Sequence, residues 1–299
     1  MKLDVVSHKG SKDKPAVVFI HGLGMNKEIW TNPLNSRILG GQFPLKVLLR
    51  NMFPGEDVAP QTLYDDLMRK DYGVIAWSQK RPAGPIDSVV PELKEILRIA
   101  GEMTRAGIIL IGHSRGGLIA RRYLSEERKS IKGLITISTP HGGSSIAGLA
   151  KYVSPLVSLV NPLVPEGEKG TLSFSIKRIF DFLGSPAIKE LLPESGFFQS
   201  LKDRPHEGVY YASIGGTNPT LFTFRNLPFP DVLEKIVPEN LYPEEMKKGR
   251  GDGLVSAASS KIPWCGNHND FDRNHAEILF DESVRDTMAR IIDDISPLS

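Results

Sequence analysis

The chain has 299 residues, of which 40% are hydrophobic, and this is enough to bury one large core. Its 37 basic residues nearly balance its 35 acidic residues, so the composition indicates neither a nucleic-acid partner nor a charged membrane surface. The longest charge-free run in the middle of the chain, residues 152–165, has 14 residues, three of them prolines. A membrane-spanning helix requires about 20 apolar residues, so this run is too short to cross a bilayer.

The cysteine content and the first residues of the chain both indicate where the protein is located. Cys265 is the single cysteine, so an internal disulfide is excluded. The first residues, MKLDVVSHKGSKDK, lack the apolar stretch of an export signal. We therefore expect a cytoplasmic protein.

Short apolar runs alternate with stretches of helical period along the chain. Five runs are predicted to be strands: AVVFI at 16–20, YGVIAWS at 72–78, GIILIG at 107–112, KGLITIS at 132–138 and VYYASIG at 209–215. Three stretches are predicted to be helices: PELKEILRIAGEMTRAG at 91–107, GLIARRYLSEER at 117–128 and DESVRDTMARIIDDI at 281–295. This alternation is typical of an α/β protein with a mostly parallel central sheet flanked by helices.

Two intervals are longer than the connections that are usual in compact domains. Residues 31–60 are rich in Leu, Phe, Pro and Gly, and their role stays open. Residues 143–208 contain SSIAGLAKYVSPLVSLV and FSIKRIFDFLG, which we interpret as helices of a cap or lid. The expected core then comprises residues 1–142 and 209–299. The apolar residues of the cap either pack only against each other or form a pocket for an acyl chain.

Residues 110–117 read LIGHSRGG and contain the pattern Gly-x-Ser-x-Gly between a predicted strand and a predicted helix. A sharp strand-to-helix turn strains the serine backbone, and side chains at the flanking glycines would collide with the neighbouring elements. Ser114 is therefore the candidate nucleophile. The Arg115 N–H, at the start of the helix, is a candidate donor to a developing oxyanion. The alternative is a tight turn that carries an idle serine.

With these motifs the chain resembles the α/β-hydrolase superfamily, and within it the bacterial lipases and the lipase-like domain of GPI inositol deacylases. The resemblance rests on five segments: VVFIHGLG, LIGHSRGG, ISTPHGGS, VYYASIGG with GDGLVS, and NHAEIL. It implies an α/β-hydrolase fold with a helical cap insertion. It also implies that the N–H of Leu23, two residues after His21, is the second oxyanion donor. His21 itself is expected to be a hydrogen-bonded anchor of its loop.

A serine becomes a strong nucleophile only when a base takes its proton. In this fold the chain order is Ser, then Asp or Glu, then His. His268 and His275 are the histidines that follow every predicted strand. His275, in NHAEIL, resembles the Asn-His-x-Asp/Glu segment of the lipases and is the predicted base. His268, in what we expect to be the polar surface loop GNHNDFD, is the rival.

The predicted acid is Asp252, because GDGLVS resembles the Asp-Gly-x-Val segment that precedes the histidine in the lipases. The glycines on both sides allow a tight loop from which the carboxylate can orient the imidazole. Asp231 is the competitor, since it lies closer to the end of the predicted strand VYYASIG. His141, in TPHGGS, is expected to be structural.

The sequence thus predicts a serine hydrolase that cleaves carboxylic esters through an acyl-enzyme, with an apolar acyl substrate. The predicted partner is a small acyl ester or lipid, without nucleic acid or a membrane span, and transient contact with a lipid surface is compatible with this. No cofactor is required and no metal is predicted, although Glu277 occupies a position at which some secreted relatives bind calcium. The alternatives are an acyltransferase or thioesterase with the same triad, and a non-catalytic hydrolase-fold protein that binds an acyl ligand.

Overall fold

The structure is a computed structural model that describes residues 2–38, 40–42, 48–49, 52, 59–146, 186–224, 227–235 and 237–296. The described strands are β1 (Asp4–His8), β2 (Ala16–Ile20), β3 (Arg37–Ile38), β4 (Gly41–Gln42), β5 (Val74–Ser78), β6 (Ile108–His113), β7 (Ile131–Ile137), β8 (Tyr210–Gly216), β9 (Thr223–Phe224), β10 (Leu227–Pro228) and β11 (His268–Phe271). The described α-helices are α1 (Glu28–Thr31), α2 (Leu63–Arg69), α3 (Val90–Met103), α4 (Arg115–Leu124), α5 (Pro186–Lys189), α6 (Gly196–Ser200), α7 (Phe229–Glu234), α8 (Ala257–Ser260) and α9 (Glu282–Ile295). Short 3-10 helices cover Pro33–Asn35, Ile86–Ser88, Glu239–Leu241, Glu244–Met246 and Glu277–Leu279.

Seven strands form the central sheet in the order β1-β5-β2-β6-β7-β8-β11. β1 pairs antiparallel with β5, and every other pair in this sheet is parallel. The five predicted strands are all present, which confirms the mostly parallel α/β sheet. The two sheet strands that the sequence analysis missed, β1 and β11, form the two edges.

The inner strands are buried because helices cover both faces of the sheet. All residues of β2 and β6 are buried, as is expected of parallel strands in the middle of such a sheet. The connection from β2 to β5 runs in one direction along the sheet, whereas the connections from β5 to β6 and from β6 to β7 run in the other. Right-handed crossovers therefore put α2 on one face and α3 and α4 on the opposite face.

The helices begin and end where the sequence supplies caps. The Thr62 side chain accepts from the Asp65 N–H at the start of α2, and the Asp281 side chain accepts from the Val284 N–H at the start of α9. α9 then buries an apolar face that includes Met288 and Ile292 against β7 and α2. This packing closes the sheet from the side opposite to α3 and α4.

Most of the predicted cap lies outside the described residues, including the stretch 174–184 and most of 144–160. The part that follows contains α5 and α6 and contributes buried apolar side chains to the core, among them Ile188, Leu191 and Phe197. Within the interval 31–60, residues 39, 43–47, 50–51 and 53–58 also lie outside the described residues. No helix among the described residues is long and apolar enough to cross a membrane.

Candidate active site

The site lies where the chain changes direction along the sheet. β2 and β6 are neighbours, and the connections that leave their carboxyl ends run to opposite sides. Such a switch point leaves a crevice beyond the strand ends, which is the usual ligand site of open α/β sheets. The loop His21–Gly24 follows β2, and Ser114 follows β6, so both predicted segments border this crevice.

Ser114 has a backbone conformation that is rare for a residue with a side chain, with φ 53° and ψ −128°. The glycines around it are required by close contacts. A Cβ at Gly112 would lie 2.5 Å from the Cα of Gly117, and a Cβ at Gly116 would overlap the carbonyl oxygen of Ile20. The Gly-x-Ser-x-Gly pattern therefore reflects a strand, a turn and a helix packed at backbone contact distance.

Two hydrogen bonds from β7 and its following loop hold this turn. The Ser114 N–H donates to the Ile137 carbonyl at 2.8 Å, and the buried Thr139 hydroxyl donates to the Ser114 carbonyl at 2.8 Å. A strained backbone conformation persists only where the surrounding contacts hold it in place, and these two hydrogen bonds do so for Ser114. This role of Thr139 is not predicted from the sequence, although the residue lies in the segment ISTPHGGS.

The side chains of Asp252 and His275 meet in a buried hydrogen bond. Nδ1 of His275 lies 2.8 Å from Oδ2 of Asp252, and the His275 N–H also donates to the Asp252 carbonyl at 3.0 Å. Asp252 is 1% exposed, so its charge is shielded from water. With Nδ1–H as the donor, the Nε2 atom of the neutral ring is left as an acceptor.

Asn274 fixes the turn on which His275 sits. Its Oδ1 accepts from the N–H groups of Ala276 and Glu277, both at 2.9 Å, and its Nδ2 donates to the Thr220 carbonyl at 2.9 Å. The Asn274 N–H in turn donates to Oε2 of Glu277 at 3.2 Å. Asn274 is fully buried, so these bonds replace the ones it would make with water. Asn274 lies in the segment NHAEIL, but its role is not predicted from the sequence.

His113 connects the serine turn to the histidine turn. Its Nε2–H donates to the carbonyl of His275 at 3.1 Å, and the two imidazole rings have centroids 4.8 Å apart. Burial holds the pKa of His113 well below its ordinary value, so this ring is neutral. Since His113 immediately precedes Ser114, the turn that carries Ser114 lies beside the turn that carries His275. Among the described residues, no hydrogen bond joins the Ser114 hydroxyl to the His275 ring.

The two predicted oxyanion donors are available. Within the described part of the chain, neither the Leu23 N–H nor the Arg115 N–H has a hydrogen-bond acceptor. The loop that carries Leu23 lies against the serine, because a Cβ on Gly22 would be 3.2 Å from the Cβ of Ser114. The segments that carry these two unpaired N–H groups thus adjoin each other at the serine turn.

His21 anchors this loop, as expected. Its Nδ1–H donates to the Gly22 carbonyl at 2.9 Å, and its Nε2 accepts from the Gln79 N–H at 3.1 Å. Burial lowers the pKa of His21 to about 4, so the ring stays neutral near pH 7. Both ring nitrogens are occupied by the loop and by Gln79, which leaves none for proton transfer.

The rival residues lie elsewhere. The expectation of a polar surface loop around His268 was wrong: this residue begins the edge strand β11, and its ring contacts Ser213 and Asp270 at 2.8 and 3.0 Å. Asp231 lies in α7, at the wall of a separate cavity of about 760 Å³. His141 is buried between Arg121 and Thr136, with contacts of 3.0 and 2.9 Å.

A small cleft opens beside Ser114. Its described lining comprises Ser114, Pro140, Ser144, Ile146, Ile188, Leu191, Leu254 and Val255, and it encloses about 20 Å³. The Ser144 hydroxyl is already paired, because it donates to the Leu254 carbonyl. Most of the other lining residues have apolar side chains. A volume of this size holds one or two small groups. Among the described residues, no group of three or more acidic, histidine or cysteine side chains is arranged to hold a metal ion.

The comparisons with solved structures show the same fold. The mature lipase BlEst2 of Bacillus licheniformis has a TM-score of 0.59 and 17% identity, covering 96% of this chain and 97% of that one. The esterase EaEST of Exiguobacterium antarcticum has a TM-score of 0.50 and 14% identity, covering 97% of this chain and 94% of that one. No curated protein matches the sequence significantly. The family model described as the alpha/beta hydrolase family matches residues 17–243, more than half of the chain, and the protein therefore belongs to the α/β-hydrolase family.

Proposed function

We propose that the protein is a serine hydrolase that cleaves carboxylic esters through an acyl-enzyme. The observation that carries this proposal is the 2.8 Å contact between Nδ1 of His275 and Oδ2 of Asp252, on loops that adjoin a strained strand-to-helix serine turn. A buried carboxylate, an oriented imidazole and an activated serine are the components of acyl transfer by a triad. One fold hosts many activities, so the proposal rests on these residues and their geometry.

The proton in this scheme moves between Ser114 and His275. Asp252 accepts from Nδ1–H, so Nε2 is free to take the serine proton as the Ser114 oxygen attacks the acyl carbonyl. The imidazolium that forms is stabilised by the Asp252 charge and gives its proton to the leaving alcohol oxygen. Water then enters by the same route and releases the acid. Serine-to-histidine hydrogen bonds are often long without substrate and shorten in the complex.

The oxyanion of the tetrahedral intermediate is proposed to bind the N–H groups of Leu23 and Arg115. Neither N–H has an acceptor within the described residues, so both are free to donate. The Arg115 N–H also lies at the N-terminus of α4, where the partial positive charge of the helix favours an anion. Preorganised donors of this kind supply about 3–4 kcal/mol of transition-state stabilisation each.

The acyl group is proposed to be apolar and to enter the cleft beside Ser114. Ile188, Leu191 and Leu254 contribute apolar surface to its walls. Only the carbons nearest the carbonyl fit within about 20 Å³, so a longer chain extends beyond these walls. Ile146 and Leu191 come from the two described ends of the interval 143–208, which supports the proposal that this interval is the cap over the site.

Hydrolysis of p-nitrophenyl esters from acetyl to decanoyl tests the activity and the acyl preference together. We expect turnover that Ser114→Ala abolishes, with higher kcat/KM for butanoyl to octanoyl esters than for acetyl. Rates that fell steadily from acetyl to decanoyl would contradict the apolar pocket. Absence of turnover with every ester would contradict the hydrolase.

A substitution in the cleft tests whether Leu191 contacts the acyl chain of the substrate. Leu191→Ala enlarges the cleft, so the ratio of octanoyl to butanoyl kcat/KM should rise about threefold to tenfold, as expected for a few methylene groups. Leu241→Ala is the matched control, because Leu241 is 45% exposed and lies outside the cleft. An unchanged ratio in Leu191→Ala would remove this residue from the acyl site.

A further inference from the structure

The side chain of Arg115 is fully buried beside the serine turn. One terminal nitrogen donates to the Pro82 carbonyl at 3.0 Å, and the other donates to the Gly84 carbonyl. Burial lowers the pKa of Arg115 to about 10, so the group is charged at neutral pH. Burying a guanidinium is costly unless its contacts offset the lost hydration, so these two carbonyl contacts carry a structural role.

The Pro82 carbonyl has a second donor, and this donor belongs to the other half of the proposed oxyanion hole. The Gly24 N–H donates to Pro82 at 2.8 Å, and Gly24 directly follows Leu23. At its other end the loop is held by His21, which accepts from the Gln79 N–H. The segment 79–84 therefore supports the Leu23 loop at both ends, and Arg115 holds that segment from the serine side.

We propose that the Arg115 guanidinium is a positioning residue that fixes the distance between the two oxyanion donors. The same residue then offers its own N–H to the oxyanion and, through Pro82 and Gly24, sets the location of the Leu23 N–H. This inference rests on the proposed ester hydrolysis and adds a role for the side chain of the variable position in Gly-x-Ser-x-Gly.

Glu190 supports the charged form of Arg115 from the side of the predicted cap. Its carboxylate accepts from the Ile86 N–H at 3.0 and 3.1 Å, close to the carbonyls that Arg115 binds. Burial raises the pKa of Glu190, and the Arg115 charge opposes that rise. The contact thus connects Glu190, the residue after α5, to Ile86, two residues beyond the segment 79–84.

A lysine cannot replace this arginine, because one ammonium on a flexible stem does not hold two carbonyls in a fixed fork. We expect kcat to fall about tenfold to a hundredfold in Arg115→Met and by a smaller factor in Arg115→Lys, with KM changed less than threefold. A donor that is displaced costs less than one removed, for which the loss is about a hundredfold to a thousandfold.

The decisive readout is affinity for a trifluoromethyl ketone that carries the preferred acyl chain, because its hemiketal oxyanion occupies the hole. Its Ki should rise by the same factor by which kcat/KM falls, in both Arg115 variants. Arg122→Met is the matched control: Arg122 lies on the same helix and contacts Asp87 at 2.7 Å, but neither carbonyl. Its kcat and Ki should stay within twofold of the wild type.

The outcomes separate the inference from the proposed function. If the folded Arg115 variants lose thermal stability but keep kcat and ketone affinity, the guanidinium is only structural and the inference fails while the hydrolase stands. Arg115→Lys preserves most of the volume and charge, so it provides this answer even if Arg115→Met does not fold. A wild-type protein that neither turns over esters nor binds the ketone would refute the proposed function and the inference together.

Discussion

Asp252 divides its two carboxylate oxygens between its own loop and the imidazole. Oδ1 accepts from the N–H groups of Leu254 and Val255 at 3.0 and 2.8 Å, and Oδ2 contacts His275 at 2.8 Å. The loop bonds orient the carboxylate before it meets the ring. Two backbone N–H groups therefore set the position of the Asp252 carboxylate. A substitution that changes only Oδ2 leaves these two hydrogen bonds in place.

The variant Asp252→Asn distinguishes the effect of the loop hydrogen bonds from the effect of the carboxylate charge. The amide oxygen can keep the loop bonds, but its NH₂ group then faces Nδ1 and favours the wrong imidazole tautomer. We expect kcat to fall about a thousandfold to ten-thousandfold, with a small change in Tm. Steady-state kinetics on the best ester, with thermal unfolding of the same samples, measures both.

The matched control is Asp231→Asn, which changes the acid that the sequence left as a competitor. Asp231 lies in α7 and lines a separate cavity that His275 does not line, so its variant should keep kcat within twofold. An active Asp252→Asn beside an inactive Asp231→Asn would reverse the assignment of the acid.

Residues with a local signature could be predicted, and those defined by distant contacts could not. Ser114 lies in a Gly-x-Ser-x-Gly turn and Asp252 in a segment that resembles the Asp-Gly-x-Val segment of the lipases, so each has a short pattern in the sequence around it. Thr139 and Asn274 act through Ser114 and Thr220, which lie 25 and 54 residues away. A single sequence does not specify such pairs, so their positions became evident only in the fold.

At the level of elements, the turn between β6 and α4 is constrained by close packing on two sides. Its glycines pack against β2 on one side and against the loop after β7 on the other, because a Cβ at Gly116 would overlap Ile20 and one at Gly117 would overlap Thr139. These contacts are to backbone atoms or to buried side-chain atoms, which move only at a cost in folding free energy. The turn therefore tolerates little change in volume.

Gly116→Ala tests this constraint. We expect a destabilisation of about 1–3 kcal/mol and a loss of most esterase activity, because the added methyl group displaces the turn from β2. Gly101→Ala is the control: a Cβ at Gly101, in α3, meets nothing within 4 Å, so alanine should be neutral or stabilise by about 0.5–1 kcal/mol. Urea unfolding and ester hydrolysis measure both variants, and a fully active, stable Gly116→Ala would contradict the packing.

Elements with an apolar pattern were predictable, and the edges of the sheet were not. β2 and β6 are continuous apolar runs because they are covered on both faces. β11 has the sequence HNDF and lies at an edge, where polar side chains meet solvent and one neighbour supplies its pairing. Its strand conformation follows from pairing with β8, which its own residues do not indicate.

At the scale of the whole molecule, three buried histidines give stability a defined dependence on pH. Burial lowers the pKa of His21 to about 4 and the pKa values of His113 and His141 well below 6.5. In the unfolded chain these rings regain their ordinary pKa, so unfolding takes up protons as the pH falls below about 6.5. The stabilisation is fully present above that value and is lost as the pH falls toward 4.

We therefore expect the free energy of unfolding to fall between pH 7 and pH 5, by up to about 1.4 kcal/mol per pH unit for each histidine in the middle of the window. Urea unfolding at pH 8, 7, 6 and 5 measures the slope. His141→Gln removes one of the three rings, so its slope should be smaller by about a third, whatever its absolute stability. A free energy of unfolding that did not change from pH 8 to pH 5 would mean that these rings are not buried in neutral form.

The central claim is that Ser114 is a nucleophile activated by His275, and labelling with a fluorophosphonate tests it most directly. Trypsin cleaves after Arg105 and Arg115, so residues 106–115 form one peptide in which Ser114 is the single hydroxyl side chain. We predict that the folded protein carries the phosphonate on this peptide, that Ser114→Ala abolishes the label and that His275→Ala slows it strongly. A folded wild type without label on this peptide, or equal labelling of the Ser114→Ala protein, would contradict the account.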